Sequence, residues 1–301
     1  MPVLLLSRQE LALVAVTVLW GATFLVVHLA MRHSGPLFFV GLRFGTAGVI
    51  SLLLFRRAMT GLTRRELAAG AAVGLAIFPG YALQTFGLQT ISSSESAFLT
   101  ALYVPMVPLL EWVALRRPPR LMSWIGIALA FSSLVLLAGP GAGSLQLGVG
   151  QAATLLSAGA IAAEIVLIGG FAGAAMDSRR ITVVQLLTAG LLSLLTMPLT
   201  GEAVPPFSWV WLSAALGLGM ASAAIQFTMN WAQKSVSPTR ATLIYASEPV
   251  WAGIAGRLAG DRLPALAVAG AAFILVGILL SELKPRRGTP AALTPGTADP
   301  Q

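Results

Sequence analysis

Apolar runs recur about every thirty residues along this 301-residue sequence, and each is long enough to cross a lipid bilayer. Ten can be read, at approximately 11–30, 37–55, 67–89, 95–115, 121–139, 148–172, 181–199, 209–232, 238–259 and 264–283. About 20 mostly apolar residues span the hydrocarbon core as a helix, and a helix satisfies its own backbone where no water can. The expected fold is therefore an all-α integral membrane protein with ten transmembrane helices. Charged residues make up 10% of the chain, against about 25% in an ordinary soluble domain, so a water-soluble shell cannot be built from it. Arg8 precedes the first run as it would in a secretion signal. That run outlasts a signal core and lacks a small-residue cleavage pattern, so it reads as the first membrane helix.

The net charge is +8, yet the basic residues lie in short clusters between apolar runs, without the basic face that a nucleic-acid binder needs. They read as topology signals instead. With the N-terminus inside, the cytoplasmic connections hold Arg8, the Arg56 to Arg65 group, Arg116, Arg117, Arg120, Arg179, Arg180, Lys234, Arg240 and the three after residue 283. The outside keeps Arg32, Arg257 and Arg262, and Arg43 lies within a run. By the positive-inside rule both termini are cytoplasmic. Cysteine is absent, which excludes disulfides and thiolate metal sites. The Pro- and Thr-rich tail at 284–301 has too little apolar content to pack and is expected to be disordered.

The chain also repeats itself. Pro105 in AFLTALYVPMVPLLEWVALRRPP corresponds to Pro249 in ATLIYASEPVWAGIAGRLAGDRLP, Gly126 to Gly270, Ala47-Gly48 to Ala189-Gly190, and Gly74 to Gly217. Residues 1–140 and 148–283 thus read as two five-helix copies. Five is odd, so the second copy enters the membrane from the opposite side, and two inverted repeats can rock about a midplane site to open it alternately to either face. That arrangement implies transport; duplication kept only for packing is the plainer reading.

The sequence Leu19-Trp20-Gly21-Ala22-Thr23-Phe24, the Arg43-Phe44 pair, the Pro105 to Leu110 segment and the Gly260 to Pro264 step come in the order seen in the EamA branch of the drug/metabolite transporter superfamily, which the chain resembles over about residues 8–283. At Gly260 the family often has Gly-Glu where this chain has Gly-Asp. The resemblance implies a secondary transporter, commonly an exporter of amino acids or related metabolites in a bacterial inner membrane. The same superfamily also handles sugars, nucleotide-sugars and cationic drugs.

Ionisable groups inside membrane segments are costly and so are functional candidates. Glu248 precedes Pro249, with Tyr245 and Trp251 three residues to either side, and is the leading candidate for cation binding or proton coupling; a structural, hydrogen-bonded carboxyl is the alternative. Glu164 sits mid-segment in the same manner, while Glu111, close to Arg116, reads as an interfacial anchor. Arg43 can snorkel to the interface, pair with Glu248 or Glu164, or clamp a substrate carboxylate; its repeat counterpart is Gln185. Ser222, Gln226 and Asn230 make a polar stripe, Tyr81 and Gln84 stand together, Ser96, Thr100 and Tyr103 share a face, and so do Trp20 and Thr23. The expected substrate-binding set is Trp20, Thr23, Arg43, Tyr81, Gln84, Thr100, Tyr103, Glu164, Gln226, Asn230, Tyr245 and Glu248. Interhelical hydrogen bonding, worth about 0.6 kcal/mol per pair on average, is the plainer reading of those stripes. Glycines at 41 and 45, 70 and 74, and 256 and 260 are spaced for close helix packing.

The two histidines, His28 and His33, make no metal motif, and no nucleophile with a base or phosphate-cradling loop is evident, so an enzyme is not expected. No ATP-binding domain is evident either, and no cofactor is implied. The partners expected are a small amino-acid-like or amphipathic solute and the bilayer, with room for a homodimer. A non-transporting scaffold is the other class left open.

Overall fold

The computed structural model describes residues 6–116, 147–172 and 175–260, with positions 124, 125, 128, 129, 132, 269 and 272 besides. The apolar runs at 121–139 and 264–283 and the tail at 284–301 fall outside the described residues, those isolated positions apart. The described chain is helical and has no strand. Its elements are α1 (Arg8–Ala30), α2 (Pro36–Met59), α3 (Arg64–Gly87), α4 (Ser93–Thr100), α5 (Tyr103–Leu115), α6 (Val149–Ala172), α7 (Ser178–Thr196), α8 (Trp209–Ala232), α9 (Pro238–Tyr245) and α10 (Glu248–Leu258). Seven spans are long and apolar enough to cross a membrane, counting α4 and α5 as one.

Polar residues at the boundaries say where each helix starts. Ser7 with Glu10 and Thr63 with Glu66 form capping boxes on α1 and α3, Ser92, Asp177 and Ser237 cap α4, α7 and α9, and Pro36 and Pro238 lead α2 and α9 at positions that need no amide proton. Arg179 donates to both oxygens of Asp177, which holds that carboxyl below its ordinary range.

Two apolar runs expected as single helices, 95–115 and 238–259, are each interrupted. α4 gives way to α5 at Ala101 and Leu102, and α9 to α10 at Ala246 and Ser247. Both breaks precede a proline by a few residues. Pro105 and Pro249 have no N–H for the carbonyl four residues earlier, and the backbone tightens instead into three-residue turns, Val104 to Ala101 at 3.0 Å and Ser247 to Ile244 at 3.2 Å. Apolar patterning does not reveal this, because both halves remain hydrophobic.

α2 and α7 cross along glycines: a methyl on Gly48 would stand 2.6 Å from Leu187 Cδ2, and one on Gly190 would stand 2.5 Å from the Gly45 nitrogen. Gly70 and Gly74 admit α7 in the same way, meeting Val184, Gln185 and Thr188. The pair at 256 and 260 is different. Gly260, at φ 97°, follows the end of α10 in the left-handed region, so it stops a helix rather than packing one. Around the α2–α7 centre the packing pairs off: α1 lies on both α9 and α10 as α6 lies on both α4 and α5, and α3 meets α6 and α7 as α8 meets α1 and α2.

Polar contacts gather at the two ends of the bundle. At one end Arg240 pairs with Glu10, the Thr239 hydroxyl donates to Glu111, Arg180 pairs with Glu66 at 3.1 Å, and Lys234 Nζ donates to the Met176 carbonyl. Glu111 thus ties α5 to α9 rather than serving Arg116. At the other end Glu202 accepts the amides of Leu37 and Phe38, and Gln151 donates to Glu95 at 2.6 Å. Between these ends Leu53, Leu75, Leu156, Leu191 and Met220 are exposed, an apolar surface suited to lipid rather than water.

Candidate functional site

A small cavity lies where the helix breaks meet α1, α3 and α6. It is lined by Trp20, Thr23 and Phe24 from α1, Tyr81 and Gln84 from α3, Thr100 and Tyr103 from either side of the α4–α5 break, Ile161 from α6, and Glu248 at the start of α10. In this conformation it has room for about one water molecule.

The breaks determine which groups face it. Tyr103 opens α5 and Glu248 opens α10, and the Tyr103 hydroxyl donates to Glu248 Oε2 at 2.9 Å, joining the two interruptions by one buried hydrogen bond. A carboxylate in the first turn of a helix also meets the positive end of the backbone dipoles, so this acid, 3% exposed, has two stabilising partners although no base pairs with it among the described residues. Thr17 of α1 and Ser247 share a hydrogen bond of 3.1 Å beside the second break. Trp20 Nε1 donates to the Tyr81 hydroxyl at 3.1 Å, and Gln84 Nε2 donates to Thr100 Oγ1 at 3.2 Å. The walls are therefore aromatic faces and small hydroxyls around one carboxyl group.

Arg43 does not line this cavity and does not snorkel. It is 2% exposed, its Nε donates to Ser222 Oγ at 2.8 Å, and its guanidinium stands 5.2 Å from the ring centres of Phe44 and Tyr81. No ion pair joins it to Glu164 or Glu248 among the described residues. A charge-assisted hydrogen bond contributes about 1.5–3 kcal/mol and a desolvated cation over a ring about 2 kcal/mol, together comparable with the several kcal/mol that burying one ion costs. Arg43 therefore stands behind Tyr81 rather than lining the cavity.

Glu164, Gln226 and Asn230 also stand outside the cavity, in a separate chain of hydrogen bonds. Asn230 Nδ2 donates to Gln185 Oε1 at 3.0 Å, Gln185 Nε2 to Gln226 Oε1 at 2.6 Å, and Gln226 Nε2 to Glu164 Oε1 at 2.7 Å. Asn230 Nδ2 also reaches Thr182 Oγ1, whose hydroxyl bonds the Ser178 carbonyl at the start of α7. Tyr245 meets Trp20 edge-on, with centroids 5.3 Å apart, on the ring that lines the cavity. Phe24 and Ile161 carry no signal in the sequence, because an apolar residue on an apolar helix looks like its neighbours. Gln185, the counterpart of Arg43, is a mid-segment glutamine and so a cue in its own right.

A helical bundle studded with membrane-length spans, with two broken helices meeting at a buried carboxyl, defines a polytopic membrane protein built around an internal polar site. The EamA-like transporter family matches this chain twice, at residues 8–139 and 150–283. The chain belongs to that family and is a membrane transporter. Among similar curated proteins are an uncharacterized transporter of Archaeoglobus fulgidus, 24% identical over 91% of this chain and 86% of its own length, and the uncharacterized inner membrane transporter YedA of Escherichia coli K12, 26% identical over 90% of each. The uncharacterized transporter YoaV of Bacillus subtilis is 22% identical over 91% of this chain and 96% of its own. One crystal structure superposes with a TM-score of 0.72 at 20% identity, covering 92% of this chain and 96% of the other, a likeness of fold.

Proposed function

We propose that this protein is a secondary transporter that exports small amino-group-bearing metabolites, amino acids among them, across a bacterial inner membrane by alternating access. The observation that carries this reading is Glu248, a carboxyl group in a cavity where two broken helices meet, held by Tyr103. A solute ammonium paired with Glu248 would sit among the ring faces of Trp20, Phe24, Tyr81 and Tyr103, where a desolvated cation gains about 2 kcal/mol. Thr23, Gln84 and Thr100 would serve the rest of a polar solute.

The paired packing and the matching breaks support two inverted five-helix halves, 1–140 and 148–283, that rock about this site. The end carrying Arg180, Lys234 and Arg240 is the cytoplasmic one by its basic residues, in keeping with both termini inside, and the inner-membrane name of YedA supports the compartment. On that frame the conformation is closed toward the cytoplasm by the Glu10–Arg240 and Glu111–Thr239 contacts, and the room for a solute must come from opening.

A second reading, export of organic cations, is favoured by one observation: the cavity lining includes an acid and four aromatic rings but no base to receive a solute carboxylate. Flux of labelled amino acids and of cationic amphipaths into proteoliposomes, with and without a pH gradient, separates the two. Wild-type flux of amino acids that is lost in Glu248→Gln supports the first; flux of cations alone selects the second; no flux of either rejects both.

A further inference from the structure

One acid buried in the middle of the bundle lies outside the cavity. Glu164 is 0% exposed and lies one turn beyond Ile161 on α6, toward the end of the bundle that carries Arg240, and it does not line the cavity. Its Oε1 ends a row of amides that all donate in the same direction, from Asn230 through Gln185 and Gln226 to Glu164. Such a row presents its positive ends to the carboxyl and its members polarise one another, which favours the anion. Burial in an apolar bundle favours the neutral acid. A group balanced between these influences can change its protonation state without changing its packing.

The other oxygen is where a proton can come and go. Glu164 Oε2 is buried and has no hydrogen-bond partner. Gln233 Oε1 lies close to Gly169, five residues after Glu164 on the same helix. Tyr245 packs edge-on against Trp20, whose ring lines the cavity.

We infer that Glu164 is a proton-binding site distinct from the solute cavity, with the unpartnered Oε2 as the atom that takes and releases the proton. The inference rests on the transport reading for its purpose, since it supplies the coupling ion for a solute held by Glu248. The titratable and charged groups on the surrounding helices are engaged elsewhere or lie at the ends of the bundle. On α3, Tyr81 accepts from Trp20, and Arg64, Arg65 and Glu66 lie in the first turn at the basic end; on α5, Tyr103 holds Glu248 and Glu111 holds Thr239; on α9, Arg240 pairs with Glu10. On α4, Glu95 binds Gln151 at the far end, and α8 faces Glu164 with neutral Gln226.

Infrared titration of the protein in membranes, without any solute, is the direct test. A protonated-carboxyl band that titrates in the wild type and is missing from Glu164→Gln is expected, and its titration should move to higher pH in Gln226→Leu, which retains the acid but removes the amide donor. The same titrating band in Glu164→Gln overturns the inference. In proteoliposomes, using L-leucine and tetraphenylphosphonium as probes, Glu164→Gln should hold solute affinity within about twofold and preserve solute–solute exchange while gradient-driven flux falls at least about tenfold. Wild-type gradient-driven flux in that variant also overturns it. If the wild type moves neither probe, the transport reading fails on its own and the infrared titration still decides Glu164.

Discussion

At the scale of single residues, the contrast between Gly21 and Gly159 shows what the EamA-like signature does in this chain. A methyl on Gly21 would stand 2.6 Å from Trp251 Cβ and 2.7 Å from the Ala252 nitrogen, so α1 could no longer lie against α10, whereas Gly159 has open space around it. Gly21→Ala should lower stability by about 1–3 kcal/mol through overpacking, and Gly159→Ala should raise it by up to about 1 kcal/mol through helix propensity. Reversible unfolding in mixed micelles reads both. Tyr103 poses a different question, because its ring lines the cavity while its hydroxyl holds Glu248. Tyr103→Phe retains the ring and leaves Glu248 without its donor, so stability should change by only about 1 kcal/mol. Solute affinity should change by about tenfold, measured by equilibrium binding to the purified protein.

The elements that matter most are the two broken helices, and they are also where sequence and structure part company. Hydropathy delimits 95–115 and 238–259 well, and Pro105 and Pro249 are conspicuous in the repeat, yet an apolar run reads the same whether or not a turn interrupts it. Residues spaced four and seven apart share a face only on an unbroken helix. Thr100 and Tyr103 still reach the cavity, since both border the break, while Ser96 is buried away from the lining. The stripe on α8 was legible as a stripe but not as a separate network: Gln226 and Asn230 turn to Gln185 on α7, a partner that depends on the α7–α8 contact rather than on any local pattern. Arg43 was likewise visible as an intramembrane charge, and only the fold supplies Ser222 and the two rings that hold it. Pro249→Ala tests the role of the break. It restores an amide donor to a helix that can then run straight, so stability should hold or rise. Flux should drop by about tenfold if the half-helix start must present Glu248 to the cavity.

Across the whole molecule, the two ends of the bundle are fastened differently. Near Arg240 the fastenings join α1, α5 and α9, the helices that meet at the breaks, through Glu10 with Arg240 and Glu111 with Thr239. At the far end Glu202 caps α2 and Gln151 joins α6 to α4. On the proposed alternating-access reading, rocking the halves about the α2–α7 crossing would separate Glu111 from Thr239 in every cycle, because these residues lie on opposite halves. The chain contains no cysteine, so a Glu111→Cys, Thr239→Cys pair is the only thiol pair in the protein that carries it. A short bifunctional thiol reagent should link that pair in membranes and abolish flux, whereas each single substitution treated with the same reagent should retain it. A reductively cleavable form of the linker should restore flux on reduction. Full flux through the linked protein would mean that α5 and α9 stay together throughout transport, and the cytoplasmic opening would then have to lie elsewhere in the bundle.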